Sequence, residues 1–434
     1  MSLRGAEGEV RAPGRPPRRA SLRAGGVQVL AHTLRHDAPA TPQLREGVAA
    51  ILERVRAEGD DALVAVNREF GSPAFTHDRL RTPKVALETA GYRVPAVLRE
   101  AIATSASQVR QVAEALMPRP ADVRLPHGQR VSVRVLPVDS VGCYVPGGRA
   151  AYPSSLIMAA VPAQVAGVGR IAVVSPPGPD GKVAPAVLAT AAALGLDEVY
   201  AAGGAAAIGA LAYGTATIPP VAVVVGPGNP WVQEAKRQVV GVVGIESVAG
   251  PSEVLVLADD SADPRVVAAD LLAQAEHGPD SLSVLATTDR ALLDAVAEAV
   301  AREPASDGMI TLVECGSWTL AAELAEALAP EHLQLNLRDA EAVAERVRSA
   351  GAVFVGPNGG TAFGDYVAGS NHVLPTGGAA RFASALGPAT YVRHMSVVEM
   401  PQGAVDALTP HLAALADAEG FPQHRRSAEI RTSR

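Results

Sequence analysis

Cysteine, lysine and net positive charge are all scarce in this chain of 434 residues, and each shortage removes a class of protein. The two cysteines, Cys143 and Cys315, are too few for a disulfide framework or a thiolate zinc finger; they fit a reducing compartment, so the cytoplasm is expected. A formal net charge of -7 gives no overall field of the sign that holds nucleic acid or an anionic membrane. Long uninterrupted apolar runs are missing as well. Pro153 and Pro162 cut 151–169, while Gly203, Gly204, Pro219, Pro220, Gly226, Pro227 and Gly228 cut 199–233 into pieces too short to span lipid. These pieces read as elements buried on both faces of an α/β core. There is no secretory apolar segment and no G-x-G-x-x-G fingerprint. With only Lys84, Lys182 and Lys236 as lysines, Lys236 is conspicuous.

What is present points to at least two domains, since one core stops growing at roughly 250–300 residues. Residues 1–40, rich in Arg, Gly and Pro, predict a disordered or extended leader. Apolar residues then recur at helical spacing (Val48, Ile51, Leu52, Val55; Leu98, Ile102, Val109, Val112), predicting a helical opening. From Val131 onward, short β-branched runs alternate with helix-length segments, which predicts parallel sheets with helical crossovers. The fold class expected is therefore α/β: two doubly wound, Rossmann-like units with helical N- and C-terminal extensions. The expected division joins 41–130 with 250–385 as a first α/β domain. Residues 131–249 form the second, and 386–434 a helical tail for contact with a partner.

Polar residues cluster in the second half. Gln274 and His277 stand three apart at the end of an apolar segment, so both face one side of a helix and can share a metal such as zinc, which takes nitrogen and oxygen donors. Glu331-His332, after Ala329-Pro330, suits a base and a water activator in one loop. Gly364-Asp365-Tyr366 and Asn371-His372 add further candidates, whereas His32, His36, His77, His127, His394 and His411 lack polar company. In the first unit the glycine turns at 147–148, 203–204 and 226–228 follow strands, where open sheets bind ligands. Cys143 has no neighbouring His or Lys to activate it and reads as a small buried residue.

The ordered set GCYVPGGRAAYPSS, GGAAAIGALAYGT, VGPGNPWVQEAKRQV, AGPSEVLVLAD, QAEHGPDS, APEHLQL, GDYVAGSNHVLPTGG and EGFPQH resembles the L-histidinol dehydrogenase family, from about Arg45 to His424. The resemblance implies an aldehyde-dehydrogenase-like architecture, with one zinc per subunit held by Gln274, His277, Asp365 and, from the tail, His424. It implies that His332 takes the hydroxyl proton while hydride passes to NAD, and that Glu331 then activates water for a second oxidation to L-histidine. Substrate contacts are implied for Ser252, Gln274, His277, His332, Asp365, His372, Glu419 and His424, and dinucleotide contacts for Tyr144 and Asn229. Glu419 and His424 would reach the neighbouring subunit's site, which implies a homodimer.

Two departures from the family pattern stand out. Ala206 replaces a glutamine usual in the family, and a methyl cannot make an amide's hydrogen bonds. The stretch Gly356 to Phe363 lacks an acid often found there. The alternative reading is a paralogous zinc- and NAD-dependent dehydrogenase of another small polar alcohol; Ser252, Glu253 and Glu419 argue against it.

Overall fold

Residues Arg18–Leu22, expected within a leader, form a strand (β1) that pairs in parallel with Met309–Cys315. The computed structural model describes residues 17–35, 41–147, 150–304 and 306–433. A helix (α1, Val27–Leu34) follows β1 and buries Val27, Ala31 and Leu34, an i, i+4, i+7 stripe that the surrounding arginines masked. The leader assignment is thus corrected over 18–34; residues 1–16 and 36–40 lie outside the described residues.

Four helices come next: α2 (Pro42–Glu58), α3 (Asp60–Phe70), α4 (Lys84–Glu88) and α5 (Ala96–Ala115). Thr41 caps α2, accepting the Leu44 N–H at 3.2 Å, and Pro42 supplies the preset first-turn φ. These helices share a core mainly with residues 141–243, to which the expected partner 250–385 contributes only Val373. The cause is local. Gly209 leaves room where a Cβ would lie 3.1 Å from Leu52 and 3.3 Å from Val55, so α2 closes onto the helix carrying Gly209.

A second correction concerns the strand expected to open the first parallel sheet. β2 (Ala121–Arg124) and β3 (Arg130–Pro137) form an antiparallel ribbon, completed by β14 (Val392–Glu399) from the tail region. Residues 386–434 are therefore not wholly helical. Both faces of β3 stay partly exposed, which a strand inside a doubly wound sheet does not allow.

The first parallel sheet uses β4 (Ser140–Tyr144), β5 (Arg170–Ser175), β6 (Glu198–Ala201), β7 (Val223–Val225) and β8 (Gly244–Ile245), in the order β6-β5-β4-β7-β8. Its crossovers are α6 (Pro153–Ala166), α7 (Pro185–Ala193), α8 (Gly204–Tyr213) and α9 (Pro230–Val239). The order reverses between β4 and β7, which opens a crevice at their carboxyl ends.

The second sheet contains β9 (Glu253–Ala258), β10 (Leu282–Thr287), β11 (Met309–Cys315), β12 (His332–Asn336) and β13 (Ala352–Val355), all parallel, in the order β1-β11-β10-β9-β12-β13. Its helices are α10 (Pro264–Ala275), α11 (Arg290–Arg302), α12 (Trp318–Leu328), α13 (Ala340–Ala344) and α14 (Thr361–Tyr366). Asp263, Asp289 and Ser317 cap α10, α11 and α12 through their side chains. Leu333 and Leu335 pack with Leu255 and Leu257 on one face. The alternation puts His332, Gln334 and Asn336 on the other, toward α10, where Gln334 Nε2 donates to Asp270 Oδ2 at 2.5 Å.

The chain ends in a helical hairpin, α15 (Gln402–Ala418) and α16 (Pro422–Glu429), with Leu412, Leu415, Phe421 and Ile430 exposed. No helix among the described residues is long and apolar enough to cross a membrane.

Candidate active site

The polar cluster gathers at the amino ends of β9 and β12, opposite to the end at which open sheets usually bind ligands. These strands are adjacent, with His332 beside Val254. Ser252 precedes β9 and Glu331 precedes β12, so both side chains meet at one edge: Ser252 Oγ donates to Glu331 Oε2 at 2.6 Å, and the Glu253 N–H donates to the same oxygen at 2.8 Å. His332 opens β12 instead of lying in a loop. Its Nδ1 sits 3.0 Å from the Glu253 carbonyl oxygen, which fixes that nitrogen as an N–H donor and leaves Nε2 as the nitrogen that gains or loses the ring's second proton. Nε2 lies 3.6 Å from Asp365 Oδ1, and Phe354 of β13 packs on the ring at 5.8 Å.

The approach to this pair is backbone-controlled. Ala329, with φ of 43°, ends α12 in the left-handed region, the only non-glycine residue with positive φ among the described residues. On the other side, a Cβ at Gly351 would lie 2.6 Å from the Glu331 carbonyl oxygen, so only glycine permits that contact.

Charges dominate the interior. Burial works against a charged His332, but the carboxylates of Glu331 and Asp365 outweigh it and lift the imidazole to about 10. Burial raises Asp365, yet His332, His372 and His277 together hold it below its usual value. His372 is lowered by burial, and its Nδ1–H donates to the Asp365 carbonyl oxygen at 2.8 Å.

Gln274 lies in the last turn of α10 and His277 just beyond its end, exposed, where its charge is felt at Asp365. Gln274 is buried with its Nε2 unpartnered, and His277 Nδ1 lies 3.1 Å from the Gln274 carbonyl oxygen, leaving its Nε2 free as a donor to a metal. An amide oxygen, an imidazole and the Asp365 carboxylate fit zinc's donor preferences. Among the described residues no group of three or more His, Cys, Asp or Glu is placed to hold a metal, so the set depends on the amide and on a further donor. Glu419 and His424 do not join the cluster within the chain: both are exposed on the tail hairpin, where the His424 ring packs on Phe421 at 5.2 Å.

The two residues implied for the dinucleotide flank the strand-order reversal of the first sheet, and both already hold positions in the backbone. The Tyr144 hydroxyl, at the end of β4, accepts the Gly204 N–H at 3.2 Å, while Asn229 caps α9 through Oδ1, 3.1 Å from the Val232 nitrogen. Gly226, φ 124°, lies so close that a Cβ would sit 2.0 Å from the Tyr144 carbonyl oxygen. Beneath it the fully buried Lys236 donates to the Gly226 carbonyl at 3.1 Å and to Glu246 Oε1 at 2.7 Å. Ala206 lies in the first turn of α8 and is 2% exposed.

The cluster lies where the two units meet. Ser105 of α5 donates to the Tyr366 carbonyl at 2.5 Å, and Asn371 donates to the Met158 carbonyl of α6 at 2.8 Å, tying 366–371 to the first unit. Sequence reasoning placed no weight on Glu253 as a support, on the Asp270–Gln334 bond, or on Phe354. The signals were an acid opening an otherwise uncharged strand, and Gln334 and Asn336 alternating with leucines. Both cysteines are buried.

Two parallel α/β units, with a buried acid–imidazole pair at their junction and a glycine-lined crevice at one strand-order reversal, define an oxidoreductase of two α/β domains. A family model for histidinol dehydrogenase matches residues 34–432. The chain is 45% identical to histidinol dehydrogenase of Caulobacter vibrioides over 396 residues, covering 88% of this chain and 91% of that protein. It is 44% identical to histidinol dehydrogenase of Synechococcus sp. over 88% of this chain and 91% of that one. The crystal structure of histidinol dehydrogenase from Elizabethkingia anophelis superposes with a TM-score of 0.88 at 30% identity, covering 96% of this chain and 98% of that chain. The chain belongs to the histidinol dehydrogenase family.

Proposed function

We propose that the protein oxidises L-histidinol to L-histidine through L-histidinal, a four-electron oxidation closing histidine biosynthesis in the cytoplasm, with zinc holding the substrate and NAD as oxidant. The observation that carries this reading is the Ser252–Glu331–His332–Asp365 arrangement, in which an imidazole with one proton-exchanging nitrogen stands beside a carboxylate held by Ser252. His332 Nε2 accepts the substrate hydroxyl proton. Glu331 then takes a proton from the water that adds to the aldehyde, and Ser252 keeps its carboxylate aimed. Gln274, His277 and Asp365 would hold zinc, which supplies a Lewis-acid grip on the substrate and a positive charge that offsets the carboxylate field on His332. Tyr144 and Asn229 would hold NAD, which would supply the hydride acceptor. Glu419 and His424, exposed here, complete the site of a partner subunit, so the active form is a homodimer with shared sites.

The test is histidinol-dependent NADH formation. Two NADH per histidinol are expected, with loss on chelation, recovery with zinc, and loss in Glu331→Gln and His332→Ala. Turnover of other small alcohols but not of histidinol would replace the reading with the paralogue.

A further inference from the structure

Glu253 meets the acid–imidazole pair through three of its own atoms and the turn at Gly377 through a fourth. Its N–H donates to Glu331 Oε2 at 2.8 Å and its carbonyl oxygen accepts the His332 Nδ1–H at 3.0 Å. Its Oε2 accepts the Glu331 N–H at 3.2 Å, and its Oε1 accepts the Gly377 N–H at 3.2 Å. Glu253 and Glu331 therefore exchange hydrogen bonds, each carboxylate receiving the other's main-chain N–H across two adjacent strand ends.

This arrangement is costly, because both carboxylates are buried. Burial and the nearby Glu331 charge push Glu253 up to about 7, with the Glu331 and Gly377 N–H groups, and then Arg35, drawing it partly back. An apolar residue would continue the run Val254 to Ala258 without that cost. The carboxylate also reaches into a tight turn: Gly377 and Gly378 have φ of 61° and 76°, and the Thr376 hydroxyl oxygen accepts the Gly250 N–H. One side chain thus ties together the strand end carrying Ser252, the residue before β12, and the turn that follows His372.

We propose that Glu253 is a positioning residue for both oxidations. Its carboxylate holds the residue before β12 and the Gly377 turn against the start of β9, so that its own main-chain N–H and carbonyl meet the Glu331 carboxylate and the His332 Nδ1–H and leave Nε2 as the proton-exchanging nitrogen. Both proton transfers pass through groups it orients, whereas zinc and substrate donors on α10 and α14 do not touch it. This rests on the reading that Glu331 and His332 carry the proton chemistry.

The experiment compares Glu253→Ala and Glu253→Gln with the parent enzyme, full-length and zinc-loaded, on histidinol and on histidinal across pH 6–10, with a thermal melt of each. Glu331→Gln and His332→Ala are measured alongside. Glu253→Ala is expected to lower kcat about 100-fold for both substrates while KM for histidinol stays within about threefold. Glu253→Gln, which keeps one accepting oxygen, is expected to fall about tenfold and to lose an ionisation near neutrality from its kcat profile. Should the alanine variant fail to fold, the near-isosteric glutamine variant decides. Parent-like kcat and pH profile in a folded variant, or a loss confined to KM, overturns the proposal. If Glu331→Gln and His332→Ala keep full activity, the underlying reading fails instead.

Discussion

Ser252 Oγ donates a hydrogen bond to Glu331 Oε2 at 2.6 Å, so a residue implied as a substrate contact is tied, before any substrate arrives, to the acid assigned to water activation. The Glu253 N–H, with His332 Nδ1 at 3.4 Å, would remain on that oxygen in Ser252→Ala. A hydrogen bond to a charged group contributes about 1.5–3 kcal/mol, so histidinal oxidation should slow by about 10- to 100-fold. Single-turnover rates with histidinol and histidinal as separate substrates check this. Equal losses in both steps would assign Ser252 to substrate binding alone.

Lys236 Nζ and Glu246 Oε1 form a buried ion pair at 2.7 Å that also grips both sides of Gly226: the lysine donates to its carbonyl and the glutamate accepts its N–H. Lys236→Met leaves Glu246 buried and unpaired, a loss of about 3–5 kcal/mol. Lys236→Met/Glu246→Gln should recover part of this in urea unfolding. Recovery of nothing would show that the lysine acts through the Gly226 turn alone.

Burial raises Cys143 far above the usual thiol range, with the Glu246 charge adding to it, and raises Cys315 to about 11. Thiols so protonated are poor nucleophiles. Native enzyme should resist aromatic disulfide reagents, and Cys143→Ser should keep kcat within about twofold, consistent with hydroxyl-for-thiol replacement at a site outside the chemistry. Stoichiometric labelling with loss of activity would bring a thiol back into the mechanism.

Glu253 also makes stability depend on pH. Its folded value, about 7, stands above the ordinary 4.5. The folded state therefore binds the proton more tightly, and the contribution is fully present below about 4.5 and lost as pH rises through 7. The charged groups facing it are Glu331, His332 and Arg35. Relative to Glu253→Gln, the parent should lose roughly 3 kcal/mol between pH 4.5 and 8, on top of a pH-independent offset. Urea unfolding at pH 5, 6, 7 and 8 measures the slope; parallel curves for the two proteins refute the assignment.

The alternating strands and helices of both units were legible because period-2 and period-3.6 patterns depend only on local burial. Strand β1 was not, because its burial comes from β11, almost 300 residues away, and arginines on its exposed positions hide it. The same limit hid the partnership of β3 with β14 and of α2 with α8, which are decided by pairing and close approach between distant segments. At the site, spacing singled out Gln274 and His277 as candidates and adjacency singled out Glu331 and His332; the hydrogen bond of Glu331 to Ser252 and the approach of His332 to Asp365 come only from the fold. The role of Glu253 was not, since its meaning lies in hydrogen bonds across two strands separated by 78 positions.

Ala206 is the sharpest departure from the family pattern, and its surroundings decide what restoring an amide would do. It lies in the first turn of α8, two residues after Gly204, whose N–H is taken by the Tyr144 hydroxyl, and it is almost completely enclosed. Neighbouring Ala205 and Ala207 are equally buried, so the turn is packed with methyl groups at close spacing. A glutamine side chain in that space must displace neighbours, and overpacking typically costs about 1–3 kcal/mol. It would also bury an amide unless a partner receives it. Ala206→Gln should therefore melt at a lower temperature than the parent without a lower KM for NAD. A fall in KM for NAD at unchanged melting temperature would mean that the amide escapes the core and reaches the dinucleotide, making Ala206 a lost contact instead of a packing choice.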